Sequence, residues 1–238
     1  VGSEMCIRDS QDTLTARILI SAVGLLNRPK LPGLPGMDDF TGPIFHSAQW
    51  PDELDGPGAL TGKRVAIVGS GASAMQIGPA IADRVGSLTI FQRSPQWIAP
   101  NDDYFAPVGD DVHWLMDNLP GYREWYRARL SWIFNDKVHS TLRIDPDWPE
   151  PTASINTVNH GHREFYLRYL RSELGDRDDL IDLSTPDYPP FGKRMLLDNG
   201  WFRMLRRPNV ELVPHGVERV TSDAVSYTHL TLPTKRIV

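Results

Sequence analysis

An α/β fold built on a parallel sheet is predicted by a short run of this chain. Residues 64–69 (RVAIVG) are β-branched and apolar, and residues 70–73 (SGAS) form a tight turn directly after them. Residues 74–85 (AMQIGPAIADRV) carry apolar side chains at helical spacing, and residues 87–94 (SLTIFQRS) read as a second strand. Two strands joined through a glycine turn and a helix are parallel, because a hairpin would need only a short loop. A Rossmann-like domain is therefore expected.

The other elements follow in order. Residues 1–10 (VGSEMCIRDS) show neither a helical nor a strand period, and residues 225–238 (VSYTHLTLPTKRIV) read as a short strand. Both ends resemble translated sequencing-adapter read-through and are expected to be non-native tails. Residues 15–23 (TARILISAV) are strand-like and end at Gly24, before the Pro-rich stretch LNRPKLPGLPG. From Val112 to Phe134 the pattern is helical and aromatic, with Trp114, Tyr122, Trp125, Tyr126 and Trp132 expected in core or interface. Residues 144–151 form a loop. Residues 159–180 form a helix with Phe165, Leu167, Leu170 and Leu174 on one side. A loop, a short helix and a strand over residues 209–213 (NVELV) complete the chain's regular structure.

The 238 residues, with 40% hydrophobic and 23% charged content, can bury a core. A net charge of -5 argues against a nucleic-acid-binding surface, and Cys6 alone provides neither a disulfide framework nor a cysteine metal site. No apolar run is long enough to span a membrane and no signal peptide is visible, so a cytoplasmic location is expected.

Gly69, Ser70, Gly71, Ala72, Ser73 and Ala74 have the chemistry of a dinucleotide loop. Gly69 permits the sharp turn, Gly71 lets backbone N–H groups approach a pyrophosphate, and the small Ala74 lets the helix pack closely on the sheet. The helix N-terminus adds partial positive charge. A ligand-free strand-to-helix turn is the plainer alternative. At the end of the second strand, an NAD site would carry an acidic residue for the ribose hydroxyls. This chain has Arg93 and Ser94 there, a guanidinium fork and a hydroxyl donor that suit the 2′-phosphate of NADP.

Upstream of that loop, residues 40–51 read FTGPIFHSAQWP, with Phe40, Gly42, His46, Trp50 and Pro51 at the spacing F-x-G-x-x-x-H-x-x-x-W-P. With GKRVAIVGSGASA, IFQRSPQWIAP and DYPPFGKRMLLDNGWF, this resembles the flavin-dependent Baeyer–Villiger monooxygenases over residues 14–221. Residues 193–201 and the helical insertion look closest to the 4-hydroxyacetophenone monooxygenase branch. Val23 stands where that family usually has threonine.

The resemblance implies a two-Rossmann flavoprotein in which NADPH reduces FAD and one oxygen atom of O2 enters a ketone, giving an ester or lactone. It also implies that Lys193 lies near the NADP phosphate and that Arg194 steadies an anionic oxygen species beside the nicotinamide. The imidazole of His46 is a candidate for acid–base work, but a linker role that fixes the chain path by hydrogen bonding is preferred. Trp50 is expected to be an anchor.

The family's first FAD loop and its C-terminal portion are not among these residues, so the chain is expected to be an internal fragment, inactive alone and with most of the FAD site elsewhere. The expected organisation is tails at 1–10 and 225–238, an FAD-domain remnant with linker at 11–62, an NADP domain with helical insertion at 63–185, and a return segment at 186–224. Alternatives are an N- or S-oxidising flavin monooxygenase, disfavoured by Trp50-Pro51, and a non-catalytic dinucleotide module. A flavin-free dehydrogenase lacks a visible hydride site.

Overall fold

The computed structural model describes residues 3–7, 12–18, 20, 22, 24, 28–227 and 230–233. Two units are distinguished, Val1–Pro32 and Gly33–Val238. In the first, β1 (Ser3–Ile7) and β2 (Asp12–Ala16) form an antiparallel hairpin with Ile7 opposite Asp12. This corrects two expectations. Ser3–Ile7 is strand despite its lack of period, because a two-stranded ladder is held by backbone hydrogen bonds that need no side-chain alternation. The strand expected over residues 15–23 instead occupies Asp12–Ala16, where a five-residue partner faces it. Residues 19, 21 and 23 of that run lie outside the described residues.

The second unit is built on β3 (Arg64–Val68), β4 (Ser87–Phe91), the two-residue β5 (Ile98–Ala99) and β6 (Leu196–Leu197), and β7 (Val210–Val213). Strands β3, β4 and β7 form a parallel sheet in the order β3-β4-β7, with Ala66 beside Thr89 and Ile90 beside Leu212. Side chains alternate across it, as the pleat requires. Val65, Ile67, Leu88, Ile90 and Leu212 join one core cluster, whereas Ala66, Phe91 and Val213 join another. Burial on both faces explains why these strands are almost continuously apolar.

Helix α1 (Ala72–Ile81) joins β3 to β4 as expected, but it ends before residue 85 because Val85 is drawn into a bridge with Thr61. Its contact with residues 201–205 is close: a Cβ on Gly78 would lie 2.9 Å from Met204 Sδ. Helices α2 (Asp110–Asn118), α3 (Tyr122–Phe134) and α4 (Asp136–Leu142) form the insertion. The expectation that its aromatic residues help form the core is overturned. Neither α2 nor α3 buries a residue, and Trp114, Trp125 and Trp132 are 62%, 57% and 53% exposed. Irregular aromatic spacing gives no single stripe to face a sheet.

Helix α5 (Thr157–Leu174) begins earlier than expected, capped by Asn156, whose Oδ1 accepts from Asn159 N at 2.8 Å. It buries Tyr166, Leu167, Leu170 and Leu174, while Phe165 lies on the exposed side. Three of the four expected residues are therefore buried, and Tyr166 takes the place of Phe165. Helices α6 (Asp178–Ser184) and α7 (Trp201–Leu205) complete the helical layer against the first cluster.

The chain closes with β8 (Arg219–Val220), β9 (Ala224–Tyr227) and β10 (Leu230–Pro233), an antiparallel sheet in the order β10-β9-β8. Val225 and Tyr227 belong to the second core cluster. Residues 228, 229 and 234–238 of the terminal segment lie outside the described residues. Among the described residues, no helix is long and apolar enough to cross a membrane.

Candidate functional site

The glycine turn follows β3 directly. Gly69 has φ 108, a conformation that side-chain-bearing residues rarely adopt, and its N–H donates to Phe91 O at 2.8 Å, locking the turn to the end of β4. Gly71 is the N-cap of α1, and a Cβ on either glycine would meet nothing within 4 Å. The space above the loop is open, and the first N–H groups of α1 have no intrahelical acceptors. Ala74 is buried in the first cluster, as its predicted packing role requires. Ala72 and Ser73 form the first turn of the helix. Ser70 is buried, and its hydroxyl donates to Ser94 O at 3.4 Å, tying the loop to the end of the second strand.

Lys193 Nζ donates to Ser94 Oγ at 2.7 Å, across 99 residues of sequence. Two residues expected at one phosphate are therefore in direct contact. Arg93, next to Ser94, is exposed, and among the described residues no hydrogen bond or ion pair holds its guanidinium. Tyr188 places Lys193: its hydroxyl donates to Pro95 O at 3.0 Å, its backbone oxygen accepts from Trp97 Nε1 at 2.8 Å, and its ring lies 4.4 Å from Lys193 Nζ. Burial raises the pKa of the Tyr188 hydroxyl, so it remains a donor. This residue was part of a recognised motif but had no assigned role, because its work depends on contacts with residues 95–97.

The loop carrying Lys193 and Arg194 is aimed by two further features. Phe191 adopts φ 66, unusual for an aromatic residue, while its ring packs on His162 and Tyr166 at 5.5 and 6.4 Å. After the loop, β6 runs parallel to β5, with Leu196 N donating to Trp97 O and Asp198 N to Ala99 O. Arg194 then lines a cleft of about 290 Å³ together with Ala72 and Gln76 of α1, Met195, Tyr104 and Asn199. The basic loop thus serves two places. Lys193 meets the end of β4, and Arg194 meets the cleft beside α1.

The segment 40–51 packs as structure. Phe40 is buried in the second cluster, and Thr41 N and Oγ1 both donate to Ser222 O at 2.9 and 2.8 Å. His46 Nδ1 accepts from Ala48 N at 3.1 Å, capping the 3-10 turn Ser47–Gln49. That bond fixes the local chain path. Trp50 packs edge-on against Phe45, with centroids 5.1 Å apart, and against the first cluster. Pro51 precedes a second 3-10 turn, Asp52–Leu54, whose Leu54 is buried. Gly42 lies in the turn between Phe40 and Ile44. None of these residues lines the cleft.

A model of the flavin-binding monooxygenase-like family matches residues 8–103. An uncharacterized monooxygenase of Sinorhizobium fredii is 49% identical over 216 residues, 91% of this chain and 32% of that protein. A Baeyer–Villiger monooxygenase of Streptomyces coelicolor is 34% identical over 216 residues, 90% of this chain and 38% of that protein. Among solved structures, a steroid monooxygenase bound to NADP has a TM-score of 0.68 at 25% identity, over 97% of this chain and 47% of that one. A polycyclic ketone monooxygenase from Thermothelomyces thermophila shares the fold, with a TM-score of 0.74 at 22% identity, covering 97% of this chain and 42% of that one. The chain thus spans between 32% and 38% of the two curated relatives. Over most of its length the chain is thus similar to about a third of the length of such monooxygenases, a Baeyer–Villiger monooxygenase among them.

Proposed function

We propose that this chain is the NADP-binding part of an FAD- and NADPH-dependent monooxygenase that inserts one oxygen atom of O2 into a ketone to give an ester or lactone. The observation that carries the reading is the contact of Lys193 with Ser94 beside a glycine turn. Its cations and hydroxyl fit a phosphate monoester, and the open space over Gly69 and Gly71 fits a pyrophosphate. Arg93, Ser94 and Lys193 would hold the 2′-phosphate, and the first turn of α1 would hold the pyrophosphate. When bound, the nicotinamide supplies reducing equivalents and the flavin activates O2. We assign FAD, held in a Rossmann domain of its own, to parts of the longer protein, with residues 11–62 as its remnant and linker, residues 63–185 as the NADP domain and residues 186–224 as the return segment.

Arg194 is the residue assigned to chemistry. A guanidinium carries a rigid fork of N–H donors, and in a cleft beside the cofactor it offers them to negative charge developing on oxygen. The likeness of residues 193–201 to the 4-hydroxyacetophenone branch extends the proposal toward aryl ketones. His46 is assigned to fixing the linker.

Calorimetry on this chain tests the cofactor assignment. NADPH is expected to bind more tightly than NADH, and Arg93→Ala or Lys193→Ala should each reduce that preference about tenfold, as for a lost charge-assisted contact. An unchanged ratio in both variants would refute the phosphate site. In the full-length protein, Arg194→Ala should abolish ester formation from a ketone while NADPH still binds. Retained ester formation would remove Arg194 from the chemistry.

A further inference from the structure

Two short segments of the second unit are laced together at four points. Residues 94–97 follow β4, and residues 188–196 carry the basic loop. Lys193 Nζ donates to Ser94 Oγ at 2.7 Å, and the Tyr188 hydroxyl donates to Pro95 O at 3.0 Å. The other two bonds belong to one residue. Trp97 donates its indole Nε1–H to Tyr188 O at 2.8 Å, and its own backbone oxygen accepts from Leu196 N at 3.1 Å. Trp97 therefore holds residues 189–195 at both ends.

Trp97 is itself fixed. It is buried, at 2% exposure, its ring lies 6.0 Å from that of Tyr166, and the Arg163 guanidinium lies 5.2 Å from its centroid. A cation over an indole face is attracted to it, and Arg163 is held there by donating to Ala153 O and Pro186 O at 3.3 and 3.4 Å. The loop between the two ends is less secure. Lys193 is exposed, and a lysine loses rotamer freedom when it is held at one point, so its placement needs a backbone that does not also move. Phe191, at φ 66, keeps a conformation that persists only where the surroundings impose it.

We propose that Trp97 is a positioning residue for cofactor choice: by tying both ends of the loop it holds Lys193 at Ser94, where the 2′-phosphate of NADP is recognised. The inference rests on the NADP reading above and gives a role to a residue outside both the glycine turn and the basic pair. Trp97 acts through Lys193 and touches no cofactor atom itself.

Oxidised NADP and NAD differ only in the 2′-phosphate, so the ratio of their affinities, measured by calorimetry on the chain, reads that contact alone. Trp97→Phe keeps an aromatic ring but loses the indole N–H. It should lower the preference for NADP about fivefold, within the range of one lost hydrogen bond. A purely structural role would weaken both ligands alike, and an unchanged ratio would overturn the proposal. In a chain already carrying Lys193→Ala, Trp97→Phe should change the ratio less than about twofold, because its effect passes through Lys193. A fall there as large as in the unsubstituted background would also overturn it. Should Trp97→Phe not fold, the unsubstituted chain gives a second readout. Saturating NADP should slow hydrogen exchange of the Trp97 indole N–H about tenfold more than that of the Trp148 indole, which donates to Ser154 Oγ at 3.0 Å. Equal slowing of the two would overturn the proposal. An unsubstituted chain that binds NADP and NAD equally would instead strike the underlying NADP reading, and the role of Trp97 with it.

Discussion

Gly36 shows how a single residue can be fixed by a contact invisible in its own neighbourhood. Its φ is 78, and a Cβ there would lie 2.0 Å from Val220 O. The adjoining backbone is paired, with Val220 N donating to Pro35 O at 2.8 Å. Gly36→Ala should therefore force the two segments apart and destabilise the fold by about 1–3 kcal/mol, the usual range for overpacking, with added backbone strain. Chemical denaturation would measure it, and a loss below about 0.5 kcal/mol would show that the contact relaxes freely. At the same scale, Gly69, Gly71 and Ala74 were legible because each has a local duty in a strand–turn–helix. Tyr188 and Phe191 were not, since their duties depend on residues 95–97 and on α5.

Among the elements, α5 depends most on its entry. Asn156 caps the helix through Oδ1, while its Nδ2 donates to the carbonyls of Ser140 and Thr141 at 3.1 and 3.3 Å and also to that of Arg143. One side chain thus joins the end of α4 to the start of α5. Asn156→Ala should cost about 1–3 kcal/mol, combining a lost cap with buried carbonyls left unpaired. Asn156→Ser should recover the cap but not the three donated bonds, and its stability should fall between the two. A variant with alanine as stable as the unsubstituted chain would remove Asn156 from this joint. The helix was legible as a helix, and so were Leu167, Leu170 and Leu174 of its buried side. Phe165 and Tyr166 are equally plausible by hydrophobicity, and the packing of Tyr166 against Trp97 and His162 decided between them.

For the whole molecule, one pH dependence follows from the packing behind the basic loop. His162 lies against Tyr166 and Phe191, and its Nδ1 is 3.2 Å from Thr141 Oγ1. Burial lowers its pKa below the ordinary 6.5, outweighing an opposing hydrogen bond to the Val158 backbone. The unfolded chain therefore takes up this proton more readily than the folded one. The stability it contributes is present above about pH 6.5 and is lost as pH falls through the lower folded value. Melting temperatures measured from pH 8 to pH 5 should fall below that point, and His162→Gln should flatten the step. An equal step in the variant would assign it to other groups. Because Phe191 leads into Lys193 and Arg194, the same protonation is expected to weaken NADPH binding.

The sequence by itself determined the local unit: the β3–turn–α1–β4 order, the glycine positions, and a basic rather than acidic residue after the second strand. These are legible because backbone geometry and short spacing impose them, whatever the rest of the chain does. It also contained the F-x-G-x-x-x-H-x-x-x-W-P segment, although only the structure shows His46 as a cap and Trp50 as packing. Tertiary structure alone decided that Lys193 meets Ser94, that Arg194 and Asn199 share a cleft, and that the tryptophans of α2 and α3 stay outside the core. The physical reason is distance along the chain. Contacts across 99 residues depend on β5 pairing with β6, which is not encoded in any one stretch of residues.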